Sequence, residues 1–247
     1  MWGIVPAAGV GSRIQPLAFS KELLPVGSRI ENGAERPRAV SEFLLERMDV
    51  GGATHICFVV SPGKDDIMSY YGGRYGRAHL SYVVQQRPAG LCDAIFQALP
   101  LIGDDDLVCV GLPDTIWFPE EGYRLLPDHV LSFLCFRVDR PEHFDAVVTG
   151  EGDRVKEIQV KKPGAVSNWV WGAFKMPGRT LRQLYRLWIE RQRGDEYFGT
   201  LVNAFIDRGG KARAVLAGDS YVDVGTLHGY RAAVNQLARR PRDGSYQ

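Results

Sequence analysis

Between Ile4 and Val26 the chain reads IVPAAGVGSRIQPLAFSKELLPV, a stretch whose residue types and spacing point to chemistry. Two glycines a residue apart, Gly9 and Gly11, precede Ser12 and Arg13, and Lys21 follows a few residues on. Glycines at such positions let the backbone take positive φ and turn successive N–H groups toward an anion. Arg13 adds a planar, permanently charged fork suited to phosphate oxygens. Ile4, Val5, Ala7 and Ala8 ahead of the glycines suit a buried strand. Strand, glycine loop and two cations within one βα unit make a polyphosphate cradle.

Two better-known phosphate loops do not fit. A dinucleotide fingerprint needs a third glycine near Ile14 and an acidic residue about 20 positions on, and both are lacking where required. A P-loop needs Gly-Lys-Ser/Thr after four free positions, and none is present. The stretch instead resembles the signature of the sugar-1-phosphate nucleotidyltransferases, the glucose-1-phosphate thymidylyltransferase and uridylyltransferase group. That signature runs roughly G-x-G-S/T-R-x-x-P-L, then K-x-L-L/V-P after a short gap. Gly9, Gly11, Ser12, Arg13, Pro16, Leu17, Lys21, Leu24 and Pro25 fill every fixed position.

The resemblance covers nearly the whole chain and implies roles for further residues. It implies nucleotide binding by Ala8, Gly9, Gly11 and Ser12, and catalytic roles for Arg13, Lys21 and Lys162. A glutamine five residues before a glycine reads a pyrimidine base in this family; Gln85 stands so before Gly90, with Gln86 the alternative. An amide donates and accepts, so it can pair with the edge of thymine or uracil. Asp114 ends the apolar run DLVCVGLPD, and ligands of open α/β sheets bind at such carboxyl ends. The family's L-G-D motif holds Mg²⁺ there; here Pro113 replaces the glycine. Asp223, in Tyr221-Val222-Asp223-Val224-Gly225-Thr226, matches the second Mg²⁺ ligand. On the acceptor side, Asp145 with Ala146 occupies a segment where the family has a glycine against the sugar ring. Lys161 replaces a glutamate that bonds ring hydroxyls, and a lysine cannot accept those bonds. Gly172 is expected to let a ligand approach a strand closely. Lys161 and Lys162, if they alternate on a strand, point to opposite faces.

The elements that must position these residues read as one α/β domain. Apolar runs at His55–Ser61, Leu80–Gln85, Asp106–Asp114, His129–Val138, Arg154–Pro163, Asn168–Pro177 and Ala212–Ala217 predict strands. Helical stripes occupy Ala39–Val50, Asp65–Tyr71, the segment after Gly90, Arg179–Arg193, Glu196–Asp207 and Leu227–Ala238. Residues 27–37, GSRIENGAERP, read as a polar loop inserted relative to the family. The expected fold is a Rossmann-like mixed, mostly parallel central sheet flanked by helices. It is a single nucleotidyltransferase domain over residues 1–240, with a polar tail at 241–247.

Bulk composition narrows the partners. Lys+Arg 30 against Asp+Glu 29 leaves a net charge of +1, so no global basic field points to nucleic acid. The chain enters a strand almost at Met1 and has no apolar run long enough to span a bilayer, which predicts a cytoplasmic protein without membrane contact. Cys57, Cys92, Cys109 and Cys135 are scattered without C-x-x-C and read as reduced and buried rather than metal-binding. The expected activity is NMP transfer from an NTP, dTTP or UTP favoured, to a sugar 1-phosphate with Mg²⁺, releasing pyrophosphate. The alternatives are cytidylyl or other transfer to a non-sugar phosphate or phosphonate, or a non-catalytic binding module. A homo-oligomer is compatible with the sequence.

Overall fold

The computed structural model describes residues 1–239, so the expected tail at 241–247 lies outside the described residues. Its strands are β1 (Trp2–Pro6), β2 (Pro25–Glu31), β3 (Ala34–Ala39), β4 (His55–Val60), β5 (Arg74–Tyr75), β6 (Ala78–Val84) and β7 (Leu107–Gly111). They continue with β8 (Thr115–Phe118), β9 (Leu131–Arg137), β10 (Asp145–Thr149), β11 (Val155–Val160), β12 (Trp169–Pro177), β13 (Ala212–Gly218) and β14 (Ser220–Asp223). The α-helices are α1 (Val40–Gly51), α2 (Asp65–Tyr71), α3 (Gly90–Gln97), α4 (Gly122–Leu125), α5 (Gly178–Glu190), α6 (Phe198–Asp207) and α7 (Leu227–Arg239).

Ten strands form one mixed sheet with a parallel centre, where β6, β4, β1 and β7 lie side by side. The central runs are apolar without alternation because both faces are covered. Ile4, Cys57, Val59, Val108 and Val110 pack on one side with α3, α5 and α6. Val5, Ile56, Phe58 and Cys109 pack on the other with α1 and α4. β12 is the pivot: residues 173–177 pair antiparallel with β7, while the opposite edge pairs with β9. β9 then carries β13 in parallel, and β10 and β11 form a hairpin against β12. All four cysteines are buried and free. No helix among the described residues is long and apolar enough to cross a membrane.

Two expectations need correction. Residues 27–37 are not a loop but most of a hairpin, β2 paired antiparallel with β3. Its turn is Asn32-Gly33, both at positive φ (51° and 74°), the backbone that a two-residue hairpin turn requires. Secondly, β11 ends at Val160, and Lys161 takes φ 44°, a left-handed conformation. Strand alternation therefore does not govern the Lys161–Lys162 pair.

Candidate active site

The glycine loop leaves the carboxyl end of β1 and turns back at Gly11, where φ is +68° and Ile14 N–H donates to the Gly11 carbonyl at 3.0 Å. A Cβ at Gly11 would meet the Lys21 side chain at 2.5 Å, so the glycine makes room for the lysine stem. No atom lies within 4 Å of where a Gly9 Cβ would sit, which leaves that side of the loop open. Ser12 and Arg13 are exposed, whereas Ala8 is buried.

Asp114 follows the carboxyl end of β7, and Asp223 closes β14. The short β8–β14 ladder brings them together, since Asp223 pairs with Thr115 and Val224 N–H donates to the Asp114 carbonyl at 2.8 Å. Lys21 Nζ is ion-paired with Asp114 Oδ2. Arg13 Nη1 reaches Asp223 Oδ2 at 3.2 Å. Three of the four charges surround Gly225, and Lys21 joins them through Asp114. A Cβ there would stand 2.9 Å from Asp114 Oδ2, 2.9 Å from Asp223 Oδ1 and 3.1 Å from Arg13 Nη2. The two carboxylate oxygens are thus no more than twice 2.9 Å apart, across a space that only a glycine leaves free. Burial opposes charge on both Lys21 and Asp114, but their attraction outweighs it: the lysine is held above its ordinary range and the aspartate below.

A second ion pair, invisible in the sequence, braces the loop from behind. Glu22 is fully buried, and both its oxygens accept from Lys64 Nζ at 2.9 Å. The same ammonium donates to the carbonyls of Ala7 at 2.6 Å and Gly9 at 2.9 Å. Lys64 lies just past β4 and so ties the glycine loop to the neighbouring strand's exit. Burial nonetheless raises the Glu22 pKa, with Lys21 and Lys64 pulling it back down.

Gln85 follows β6 and is buried, with its side-chain nitrogen donating to Asp93 Oδ2 at 2.6 Å and to the Gly90 carbonyl at 3.3 Å. Both amide hydrogens are used, so the oxygen is what Gln85 can still offer. Gly90 has φ +85°, and a Cβ there would strike the Glu196 backbone at 2.7 Å. That close approach lets α3 begin against the segment ahead of α6.

The acceptor-side residues split into two groups. Asp145, at the start of β10, accepts from Trp171 Nε1 at 3.3 Å. Burial raises its pKa to about 6, against the opposing pull of that hydrogen bond and of Lys161. Lys161 N–H donates to the Phe144 carbonyl at 2.9 Å, and its ammonium sits 4.5 Å from the Tyr197 ring centre. Lys162 is more than half exposed, and among the described residues its only ion pair is with Glu157, at 3.8 Å. Among the described residues no ion pair joins Lys162 to Asp114 or Asp223. The space a Gly172 Cβ would fill is taken by Tyr221 and Phe136 rings at 2.6 Å and 2.7 Å. Gly172 therefore admits Tyr221, where the sequence led us to expect a ligand.

Known proteins resemble this chain in sequence and in fold. A glucose-1-phosphate thymidylyltransferase of Neisseria meningitidis is 27% identical over 240 residues, covering 92% of this chain and 78% of its own. A low-salt glycan biosynthesis nucleotidyltransferase of Haloferax volcanii is 33% identical over 176 residues, covering 66% of this chain and 45% of its own. Among solved structures, a Bacillus anthracis protein crystallised with sucrose superposes with a TM-score of 0.81 at 21% identity, over 100% of this chain and 98% of that one. UTP-bound UGPase of Acinetobacter baumannii superposes at 0.78 and 18% identity, over 98% and 95% of the two chains. The sequence profile of the nucleotidyl transferase family matches residues 2–240, and the chain belongs to that family.

Proposed function

We propose that the protein transfers NMP from dTTP or UTP to a sugar 1-phosphate and releases pyrophosphate. The observation that carries this reading is the convergence of Arg13, Asp114 and Asp223 around Gly225, with Lys21 paired to Asp114, beyond the carboxyl ends of β1 and β7. One acceptor phosphate oxygen attacks the α-phosphorus, and the bond to the β-phosphate bridging oxygen breaks. Its electron pair leaves with pyrophosphate. Such a transfer needs positioning and charge neutralisation more than covalent help.

The glycine loop's free N–H groups and Arg13 would hold the β- and γ-phosphates and stabilise the departing pyrophosphate. Lys21 would sit by the α-phosphate, and Lys162 would bind the acceptor phosphate as its side chain swings from Glu157. Asp114 and Asp223 fit Mg²⁺: two hard carboxylate oxygens face each other over a glycine, a donor set that phosphate oxygens and waters complete. When bound there, the ion would neutralise charge on the reacting phosphates. Gln85, with its nitrogen committed to Asp93 and Gly90, presents an acceptor that suits the N3–H of thymine or uracil. Cytosine offers no hydrogen at N3.

One observation favours a second reading of the acceptor. Asp145 and Lys161 bring a half-buried carboxyl and an ammonium to the side where the family carries sugar-contacting groups of other kinds. A non-sugar phosphate or phosphonate acceptor is that reading. Pyrophosphate release from five NTPs against a panel of sugar 1-phosphates and alcohol phosphates tests both. The expected result is metal-dependent turnover with dTTP or UTP and a sugar 1-phosphate, lost in EDTA. A clear preference for ATP or GTP, or full activity in EDTA, refutes the assignment.

A further inference from the structure

Away from the cleft, a groove of about 850 Å³ opens where the amino-terminal ends of β9 and β13 meet the carboxyl-terminal ends of α5 and α6. It shares no lining residue with the candidate active site. Leu131, at its floor, begins β9, and the next residue, Ser132, pairs with Lys175 of β12. Lys175 pairs on its other edge with Cys109 inside β7, whereas Asp114 lies beyond that strand's carboxyl end.

The groove is unevenly charged. Arg154, Arg186, Arg208, Lys211 and Arg213 line it, against Glu151 and Glu190. Arg208 is ion-paired with Glu190, and Arg213 donates to the Gly152 carbonyl at 3.3 Å. Arg154, Arg186 and Lys211 make no side-chain ion pair among the described residues. A backbone bridge between Arg154 and Arg213 holds two of these cations side by side. Cations that outnumber the acids among them repel one another, and an anion between them relieves the repulsion. Among the cations the accessible lining is apolar at half-buried Val130 and Phe205, backed by buried Leu131, Leu187 and Ala212. The volume falls within the range of small-molecule sites, ~300–1,000 Å³.

We propose that this groove is a second, non-catalytic binding site for a small organic phosphate that carries two or more negative charges on a body with an apolar face. The guanidinium forks of Arg154 and Arg186 match phosphate oxygens, and Lys211 adds a point charge at the rim. The apolar floor takes the body of the ligand.

Adenosine 3′,5′-bisphosphate and inorganic pyrophosphate are suitable probes, titrated calorimetrically into the full-length protein at fixed ionic strength. The expected result is saturable adenosine bisphosphate binding that weakens at least about tenfold in Arg186→Glu/Lys211→Glu and persists in the cleft variant Arg13→Ala. The charge-neutral pair Arg154→Gln/Arg186→Gln should weaken it as well, which guards against a fold defect in the reversal variant. Turnover should be retained in both groove variants. Pyrophosphate should bind more weakly at the groove, since it cannot use the floor. Three results would overturn the proposal: no saturable binding, binding lost in Arg13→Ala but kept in both groove variants, or capture of a polyglutamate peptide with neither phosphate.

Discussion

Replacing Asp145 by asparagine should stabilise the protein in a pH-dependent way. The folded Asp145 carboxyl titrates at about 6, raised by burial from an ordinary value of 3.8. The folded state therefore holds this proton more tightly than the unfolded state does. Stability is unaffected by the group below pH ~4, falls as pH rises toward 6, and stays reduced above. A rise of about two pH units, at ~1.4 kcal/mol each, sets the penalty at up to about 3 kcal/mol. Asparagine has the same shape, carries no charge, and still accepts from Trp171 Nε1. At pH 8 the variant should melt higher than wild type by on the order of 5 °C or more, and at pH 4 the two should coincide. Thermal denaturation of both proteins across pH 4–8 checks this. An equal offset at every pH, or a lower melting temperature at pH 8, would refute the argument that the buried charge is costly. The same variant reports on function. If Asp145 meets the acceptor, its KM for acceptor rises while KM for NTP holds, and the cost in stability is the cost of a binding group.

Three further outcomes follow from the geometry. Gly225→Ala places a methyl 2.9 Å from both carboxylates and should lower kcat by about 10²-fold or more with the far-UV circular dichroism spectrum unchanged; near-normal turnover would show that the space between the aspartates is not used. Lys64→Met strips the fully buried Glu22 of its main counter-ion and should cost about 3–5 kcal/mol in urea unfolding, together with a raised KM for NTP as the glycine loop loosens; an unchanged midpoint would remove the bracing role. Lys162→Ala should raise KM for the acceptor far more than for the NTP, and equal effects on both in steady-state kinetics would end the acceptor-phosphate assignment.

Local patterns made much of this molecule readable. The glycine loop, Arg13 and Lys21 lie within one short stretch, and its match to the family signature marks them. The central strands are legible because burial on both faces leaves uninterrupted apolar runs such as residues 56–60. The β2–β3 hairpin was hidden by its own exposure: with little of either strand buried, no alternation appears, and only Asn32-Gly33 signals the turn. Lys64 and Glu22 could not be paired from sequence, since 42 positions separate them and each resembles an ordinary surface charge. The Lys161 side was obscured by a single left-handed residue, which ends the strand periodicity on which face assignments depend.

The β8–β14 ladder has a bearing on how the protein comes off the ribosome. Arg13 and Asp223 are 210 positions apart, so the glycine loop, Lys21 and Asp114 all emerge long before their last companion. The four residue pairs of the β8–β14 ladder then help to hold Asp223 in place. The final helix reinforces them: Gln236 Nε2 donates to Ser220 Oγ at 3.0 Å, and Tyr230 Oη donates to the Pro25 carbonyl at 3.2 Å. Contacts this distant in sequence form late, because the chain must close a long loop before they repay it. A nascent chain therefore passes through a stage in which the glycine loop exists without the second carboxylate. Docking of the last segment is therefore the event that completes the Arg13–Lys21–Asp114–Asp223 cluster in a newly made molecule.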